Sequence, residues 1–462
     1  MLRQIERLFR SLLQDPVINR SHPRSRKFQD LCTTWVKRAR TGNIPSGLPR
    51  RSFASVRPAR EAYRPYSMAD VRSAADRRLF SVVSLFAGPG GSSTGYKLAG
   101  GDVRAAVEFG ANAARSYARN SPGCLVVQRD IREILADPNG VEDLLLRAGV
   151  PPGELDWCDA SPPCTEFSLG GAGIGDQTRP KLHSGVWQTH VASLPLDYVK
   201  FLHRTRAKIS LMENVVGLLI RAPQLLDKIV DSIRFDGGER RYYANWKILS
   251  ASHYGVPQRR KRIIILSVRR DVAERVGIHS DKDVLGLFPK PTHGEVSIRS
   301  AFRGLEQRPE DEQPYFRSLR TSRLYTLLKR LPKCPPKILR LPNVKTNFTL
   351  ARCSWDMPAP TLVIAGQKPD GLSGAIHPEL DRKFTVPELK RLFGLPDDFI
   401  LTGTIDQAVE CICNMVPPLL TKAVAESVYE RVLRPYASLE PHRAPGESGA
   451  AQGSPRRTEC AD

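Results

Sequence analysis

From Leu79 to about residue 270 the chain alternates short apolar runs with helical stretches, and this alternation limits its fold more than any other feature. SVVSLFA (81–87) has the continuous apolar character of a buried strand and stops at Gly88-Pro89-Gly90-Gly91. A helical run to Leu98 follows, then an apolar run at 103–107, a helical run at 111–119 and Leu125-Val126-Val127 ahead of Asp130. Further strands are expected at 155–158, 208–213, 246–251 and 263–268, with helical runs such as 222–234 between them. Strand, helix and strand repeated in this way predict an α/β fold, a mostly parallel sheet with helices on both faces. Such sheets bind ligands at the carboxyl ends of their strands, and the chemically suggestive residues fall there.

Beyond about residue 270 the pattern gives way to a Pro-rich and basic stretch that includes LLKRLPKCPPKILRLPNVK (327–345). It reads as a smaller, irregular domain, here bounded at 273–400, following a strand-and-helix domain at 79–272. Helical periodicity returns near 384, and 415–434 is expected as a strong amphipathic helix within a segment, 401–436, that returns to the first domain. Residues 437–462 are rich in Pro, Gly, Ser and Ala and are expected to be disordered.

Seventy Lys and Arg against 48 Asp and Glu give a net charge of +22. A surplus of that size favours a polyanionic partner, because each basic contact to a phosphate releases counterions; solubility is the plainer alternative. Residues 1–78 carry 18 Lys and Arg against six acids and form a basic N-terminal extension. Its first fifteen residues, MLRQIERLFRSLLQD, are amphipathic like a transit peptide, but Glu6 and the short length favour a surface helix. Nine cysteines without zinc or disulfide spacing indicate reduced thiols and a cytoplasmic setting. No metal site is expected. The sequence contains no run of about 18 apolar residues, so no membrane span is expected.

The glycine-rich turn Phe86–Gly91 could let a backbone approach a nucleotide, yet plain tight turns look the same, and the GxGxxG spacing of a dehydrogenase is missing. Glu108 at the next strand end is placed for ribose hydroxyls and Asp130 at the third for an exocyclic amine; each could equally be a solvated strand end. Asp159-Ala-Ser-Pro-Pro-Cys164-Thr-Glu-Phe-Ser168 sets a cysteine behind two prolines, which fix the backbone and present the thiol rigidly. A lone cysteine there is open to two readings, nucleophile or small buried hydrophobe. Gly170-Gly-Ala-Gly-Ile-Gly175 follows and could move as a lid. Met212-Glu213-Asn214-Val215 ends a strand in a carboxylate beside an amide. Gln258, Arg260 and Arg262 alternate ahead of IIIL (263–266), so on a continuous strand they would point together.

In order and spacing these segments resemble one family, the cytosine-C5 DNA methyltransferases of bacterial type. The family's glycine turn is similar to Phe86–Gly91, its Pro-Cys motif to Pro163-Cys164, its Glu-Asn-Val to 213–215 and its Gln-x-Arg-x-Arg to 258, 260 and 262. Arg382 to Phe399 resembles its ninth conserved block and Asn414-Met-Val416-Pro-Pro418 its tenth, so the likeness spans about 80–436. The chain departs from the pattern at Ser84, where an acid is usual before Leu-Phe, and at Thr165, usually glutamine. It departs again at Gly110, often acidic, and at Cys413, usually glycine.

The resemblance implies the S-adenosylmethionine-dependent methyltransferase fold with a target-recognition domain, and methyl transfer to carbon 5 of a flipped-out cytosine in a specific double-stranded DNA sequence. It implies Cys164 as the nucleophile that adds to C6, its thiol acidified chiefly by Arg260. Glu213 would serve N3 and Arg262 O2 as charge develops on the ring. S-adenosylmethionine would lie over Phe86, Gly88, Gly90, Gly91 and Pro163, with its ribose on Glu108, its adenine amine on Asp130, and Asn414 and Val416 bracketing the methionine part. A cognate restriction endonuclease is a further candidate partner, and a monomer on the bacterial nucleoid is expected. The nearest rival is the same reaction on transfer RNA, whose enzymes usually carry Thr at the place of Ser168; another is a catalytically idle DNA-binding protein. Target choice is expected to reside in 275–375.

Overall fold

The computed structural model describes residues 62–439 apart from 165–166, 168–180, 184–185, 307, 309, 313, 315–325, 327–329, 342–349 and 369–373. Most of the basic extension, the glycine-rich stretch after Cys164, parts of 275–375 and the tail from 440 therefore lie outside the described residues.

Seven strands build the central sheet: β1 (Phe80–Leu85), β2 (Gly101–Val107), β3 (Leu125–Val127), β4 (Trp157–Ala160), β5 (Ile209–Val215), β6 (Tyr242–Ser250) and β7 (Lys261–Arg269). Their order is β6-β7-β5-β4-β1-β2-β3. β7 runs antiparallel to both β5 and β6, and the remaining pairings are parallel, so the α/β fold with a mostly parallel sheet is present. Alternate residues of one strand feed opposite cores. Val83 and Leu85 of β1 pack in one buried cluster with Ile263 and Ile265, whereas Phe80 and Val82 pack in another with Ile264 and Leu266. Both faces are thus dry, which explains why β1 reads as a continuous apolar run.

The helices that matter to the site are α1 (Met68–Ala75), α2 (Gly91–Leu98), α3 (Ala111–Asn120), α4 (Ile131–Ala136), α5 (Leu194–Thr205), α6 (Pro223–Arg234), α7 (Val386–Leu392), α8 (Ile405–Asn414) and α9 (Pro418–Val428). The helix expected over 415–434 begins three residues late, at Pro418, and from there runs helical through Tyr429–Leu433 to Leu439. α8 ends at Asn414, Met415 to Pro417 are extended, and α9 begins on Pro418. Consecutive prolines account for this: the residue before a proline avoids the helical region, and a proline suits the first turn of a helix. A wide turn at Tyr429–Leu433 then follows α9. The helical stretch 405–439 is long and apolar enough to pass for a membrane span, but 72% of its apolar window is buried inside the protein.

A third core joins Tyr63, Met68 and Val71 to residues 296–302, 353–399 and α8. The segment like the family's ninth block is structural here. Arg382 meets Glu388 at 2.7 Å, both side chains fully buried, and Glu388 closes a capping box with Thr385 at the start of α7. Asp398 receives the Met68 amide at 2.9 Å, which ties α1 to this core.

Candidate active site

β1 continues through α2 to β2 on one side while β4 lies on its other side, so the strand order reverses between β1 and β4. A crevice must open at such a switch point, beyond the carboxyl ends of the strands. It does, as a cavity of about 430 Å³. Phe86, Gly88, Gly91, Glu108, Asp130, Pro163, Cys164, Glu213, Arg260, Arg262, Asn414 and Val416 all line it. Gly90 stands behind the turn with φ +105°, where a Cβ would meet the Tyr117 ring at 3.2 Å.

Gly91 has a second duty that its sequence context concealed. A Cβ there would lie 1.9 Å from Met415 Cγ, and one at Gly95 would lie 2.3 Å from the Pro418 carbonyl oxygen. Two glycines a helical turn apart thus let α2 lie directly against the extended 415–417 segment and the start of α9, closing one cavity wall.

Glu108 bridges two loops. Gly88 N–H donates to Oε2 at 2.8 Å and Gly110 N–H to Oε1 at 2.6 Å. Burial lifts its carboxyl above the ordinary value, and these amides oppose the lift. Asp130, expected to be open to an exocyclic amine, is already engaged: Arg132 donates to it through its backbone N–H at 2.9 Å and through Nε at 3.0 Å. Burial raises the Asp130 carboxyl, but the Arg132 bonds outweigh it and hold the group below its ordinary value. Arg132 also donates to the Thr189 carbonyl at 3.0 Å. Nothing in the sequence singled out Arg132.

The expected single strand carrying Gln258, Arg260 and Arg262 is broken. Gln258–Arg259 pairs with Ala359–Pro360 in a separate two-stranded sheet, and β7 begins only at Lys261. Gln258 consequently turns away from the cavity, donating to the Leu392 carbonyl and accepting from the Leu362 amide. Arg260 is 2% exposed and donates to the carbonyls of Leu362 and Cys413 at 3.2 and 2.8 Å. Its guanidinium lies 5.1 Å from the Phe393 ring centre. Burial, with Arg262 close by, pulls its pKa down to about 9.

Arg262 Nε pairs with Glu213 Oε1 at 2.6 Å, each side chain 9% exposed. The register explains the contact. Glu213 lies opposite Ile264 and Val215 opposite Arg262, so Glu213 and Arg262 are diagonal neighbours on one face. Asn214 points the other way and donates to the Pro162 carbonyl at 3.3 Å, bracing the Pro-Cys segment against the end of β5.

Cys164 is partly exposed toward the cavity, yet burial of the thiol holds it above its ordinary value. Arg262 opposes that more strongly than Arg260 does, and Glu213 reinforces it. Arg260 was expected to be the main acidifying charge, whereas of the two arginines Arg262 opposes the rise the more strongly. Among the described residues no group of His, Cys, Asp and Glu is arranged to hold a metal ion.

Sequence reasoning passed over Asp159, Ser92, Ser161 and Met415 as well. The last three line the cavity. Asp159 stands in the quoted Pro-Cys segment but acquires its partners only through strand register.

The family profile described as "C-5 cytosine-specific DNA methylase" matches residues 80–430. Type II methyltransferase M.XorII of Xanthomonas oryzae pv. oryzae is 27% identical over 373 residues, covering 75% of this chain and 84% of that protein. Type II methyltransferase M1.HphI of Haemophilus parahaemolyticus is 27% identical over 358 residues, covering 75% of this chain and 86% of that one. A solved E. coli structure, described as a DNA modification methyltransferase encoded within a prophage, covers 76% of this chain and 99% of its own at 21% identity and a TM-score of 0.55, a likeness in fold. The methyltransferase architecture, the cavity at its switch point and a profile that spans most of the chain agree: this protein belongs to the C-5 cytosine-specific DNA methylase family.

Proposed function

We propose that the protein transfers a methyl group from S-adenosylmethionine to carbon 5 of a cytosine flipped out of double-stranded DNA, through a covalent bond between Cys164 and C6. The observation that carries this reading is the convergence of Cys164, Glu213, Arg260 and Arg262 on the cavity that also holds Glu108, Asp130 and the glycine turn.

Residues at the turn end fit the cofactor. Glu108 uses one lone pair on each oxygen for backbone amides and keeps others for ribose hydroxyls. Ser161 Oγ and Arg260 Nε, both in lining residues, are buried with no partner among the described residues, as expected of groups that meet a ligand. Asp130 would receive the adenine amine on the lone pairs left over from Arg132, with Arg132 fixing its orientation. Phe86, Gly88, Gly91, Pro163, Asn414 and Val416 would enclose the rest, and Gly90 shapes the turn. When bound, the cofactor supplies an electrophilic sulfonium methyl.

Carbon 5 of cytosine is too weak a nucleophile to act unaided. The Cys164 thiolate adds to C6, and the electron pair pushed into the ring makes C5 nucleophilic. Negative charge gathers at N3 and O2. Glu213 holds a proton or hydrogen bond at N3, and Arg262, already poised beside it, meets O2. After methylation a base removes the C5 proton and the thiolate leaves. A base stacked in a duplex cannot reach this cavity, so the nucleotide must swing out.

DNA bearing 5-fluorocytosine at the target should trap the enzyme, because fluorine cannot leave as a proton does. A complex resistant to denaturant, absent with Cys164→Ala, is the expected gel result; active turnover without any adduct would rule out the covalent route. The pH profile is a second test. Because the thiol is held above its ordinary value, kcat/KM for DNA should rise with pH as thiolate forms and still be rising at the ordinary thiol pKa of about 8.5, and a flat profile would contradict the role of Cys164.

The proposal extends to the surroundings of the reaction. The type II designation of both relatives supports a companion restriction endonuclease, and a DNA substrate supports work on the bacterial nucleoid. The segment 275–375 would choose the sequence, and the basic residues before 79 would add non-specific phosphate contacts.

A further inference from the structure

Asp159 is 1% exposed, and among the described residues no Lys or Arg pairs with it. Three hydroxyls donate to its carboxylate instead: Ser84 Oγ at 2.8 Å, Ser92 Oγ at 2.7 Å and Tyr96 OH at 3.0 Å. A carboxylate held this far from solvent is costly unless its acceptors are filled, and here the filling comes from β1 and from the first turns of α2. Ser84 and Asp159 are register partners across the β1–β4 pair, the pair at which the strand order reverses. Ser84 is also the position at which the family pattern carries an acid. In this chain the acid of the strand pair is Asp159, and Ser84 faces it.

We propose that Asp159 is a positioning residue for cofactor binding, anchoring the glycine turn and α2 through its hydrogen bonds to Ser84, Ser92 and Tyr96. It does not line the cavity; Ser92 does, and Asp159 acts through it. Its grip on Ser92 and Tyr96 fixes the rotation of α2, so that Gly88, Pro89 and Gly91 face the cavity while Gly91 and Gly95 stay against Met415 and Pro418. The carboxylate at the amino end of α2 is also favourably placed against the helix dipole. Burial lifts Asp159 to about 6, with the three hydroxyls opposing the lift and Glu213 adding to it. Such a group still carries its charge at neutral pH.

The inference rests on S-adenosylmethionine being the cofactor, and the experiment separates the two ideas. Binding of S-adenosylhomocysteine, measured by calorimetry, reads the site without turnover. Asp159→Asn should weaken it about tenfold or more, because the amide keeps only one accepting oxygen and the hydrogen bonds that remain are no longer charge-assisted. KM for DNA, and kcat at saturating cofactor, should stay within about twofold. Ser92→Ala should give a similar loss, and the two changes together should lose little more than either alone. The exchanged variant Ser84→Asp with Asp159→Ser should regain most of the affinity, since it returns the acid to the other strand. A merely structural Asp159 would instead lower thermal stability and every kinetic constant together, with no rescue of affinity by the exchange, and that result overturns the proposal. Unchanged affinity in Asp159→Asn overturns it as well. Failure of the unaltered protein to bind S-adenosylhomocysteine or S-adenosylmethionine would instead remove the cofactor assignment itself.

Discussion

Cys164→Ser should lose methylation by a factor on the order of 10⁴ or more, the scale on which removing a covalent nucleophile acts, while the fold stays intact. An alcohol is hardly ionised at neutral pH and cannot add to C6. The surroundings worsen matters for it, since burial already disfavours the anion of the better acid, the thiol. The side chain is nearly isosteric and only partly enclosed, so the thermal midpoint should move little. Transfer of tritiated methyl to DNA measures the first quantity and calorimetric melting the second. Serine turning over at the rate of cysteine would end the covalent mechanism. Loss of activity together with a collapsed melting transition would show that Cys164 acts as core.

How much of this could be read in the sequence depends on how locally each feature is encoded. β1, β2, α3 and β5 are visible because apolar runs and glycine stops are short-range signals. The Pro-Cys segment is legible for the same reason: two prolines before a cysteine restrict the backbone whatever surrounds them. The break between Gln258 and Arg262 was not legible. Alternation at 258, 260 and 262 is what one strand would show, and only the pairing of Gln258 with Ala359, a hundred residues on, takes it into another sheet. The break at Met415–Pro417 could have been seen, because Pro417 and Pro418 announce it. Asp159 was hidden for a deeper reason. Its partners on β1 and α2 precede it by more than sixty residues, and only sheet register brings them together. Register likewise turns Glu213 and Arg262, which sequence spacing treats as two separate catalytic groups, into one ion pair.

That pair makes Arg262→Ala the second large effect. Glu213 and Arg262 are each 9% exposed and 2.6 Å apart. Removing the arginine leaves a carboxylate in the cavity wall without its counter-charge. Breaking a buried pair from one side costs roughly 3–5 kcal/mol, and water entering from the cavity puts this case near 3 kcal/mol. Under the proposed mechanism activity should vanish for two reasons: O2 of the cytosine would lose its partner, and the Cys164 thiol loses the charge that most opposes its rise. Glu213→Gln should be milder for stability, about 1 kcal/mol, because the amide oxygen still accepts from Arg262. Replacing both residues at once, Arg262→Met with Glu213→Leu, removes the two charges together and should recover most of the lost stability while remaining inactive. Urea unfolding of the three variants separates these effects from catalysis. A midpoint for Arg262→Ala equal to that of the unaltered protein would mean that Glu213 finds another partner, and the account of the site as a preformed ion pair waiting for a base would fall.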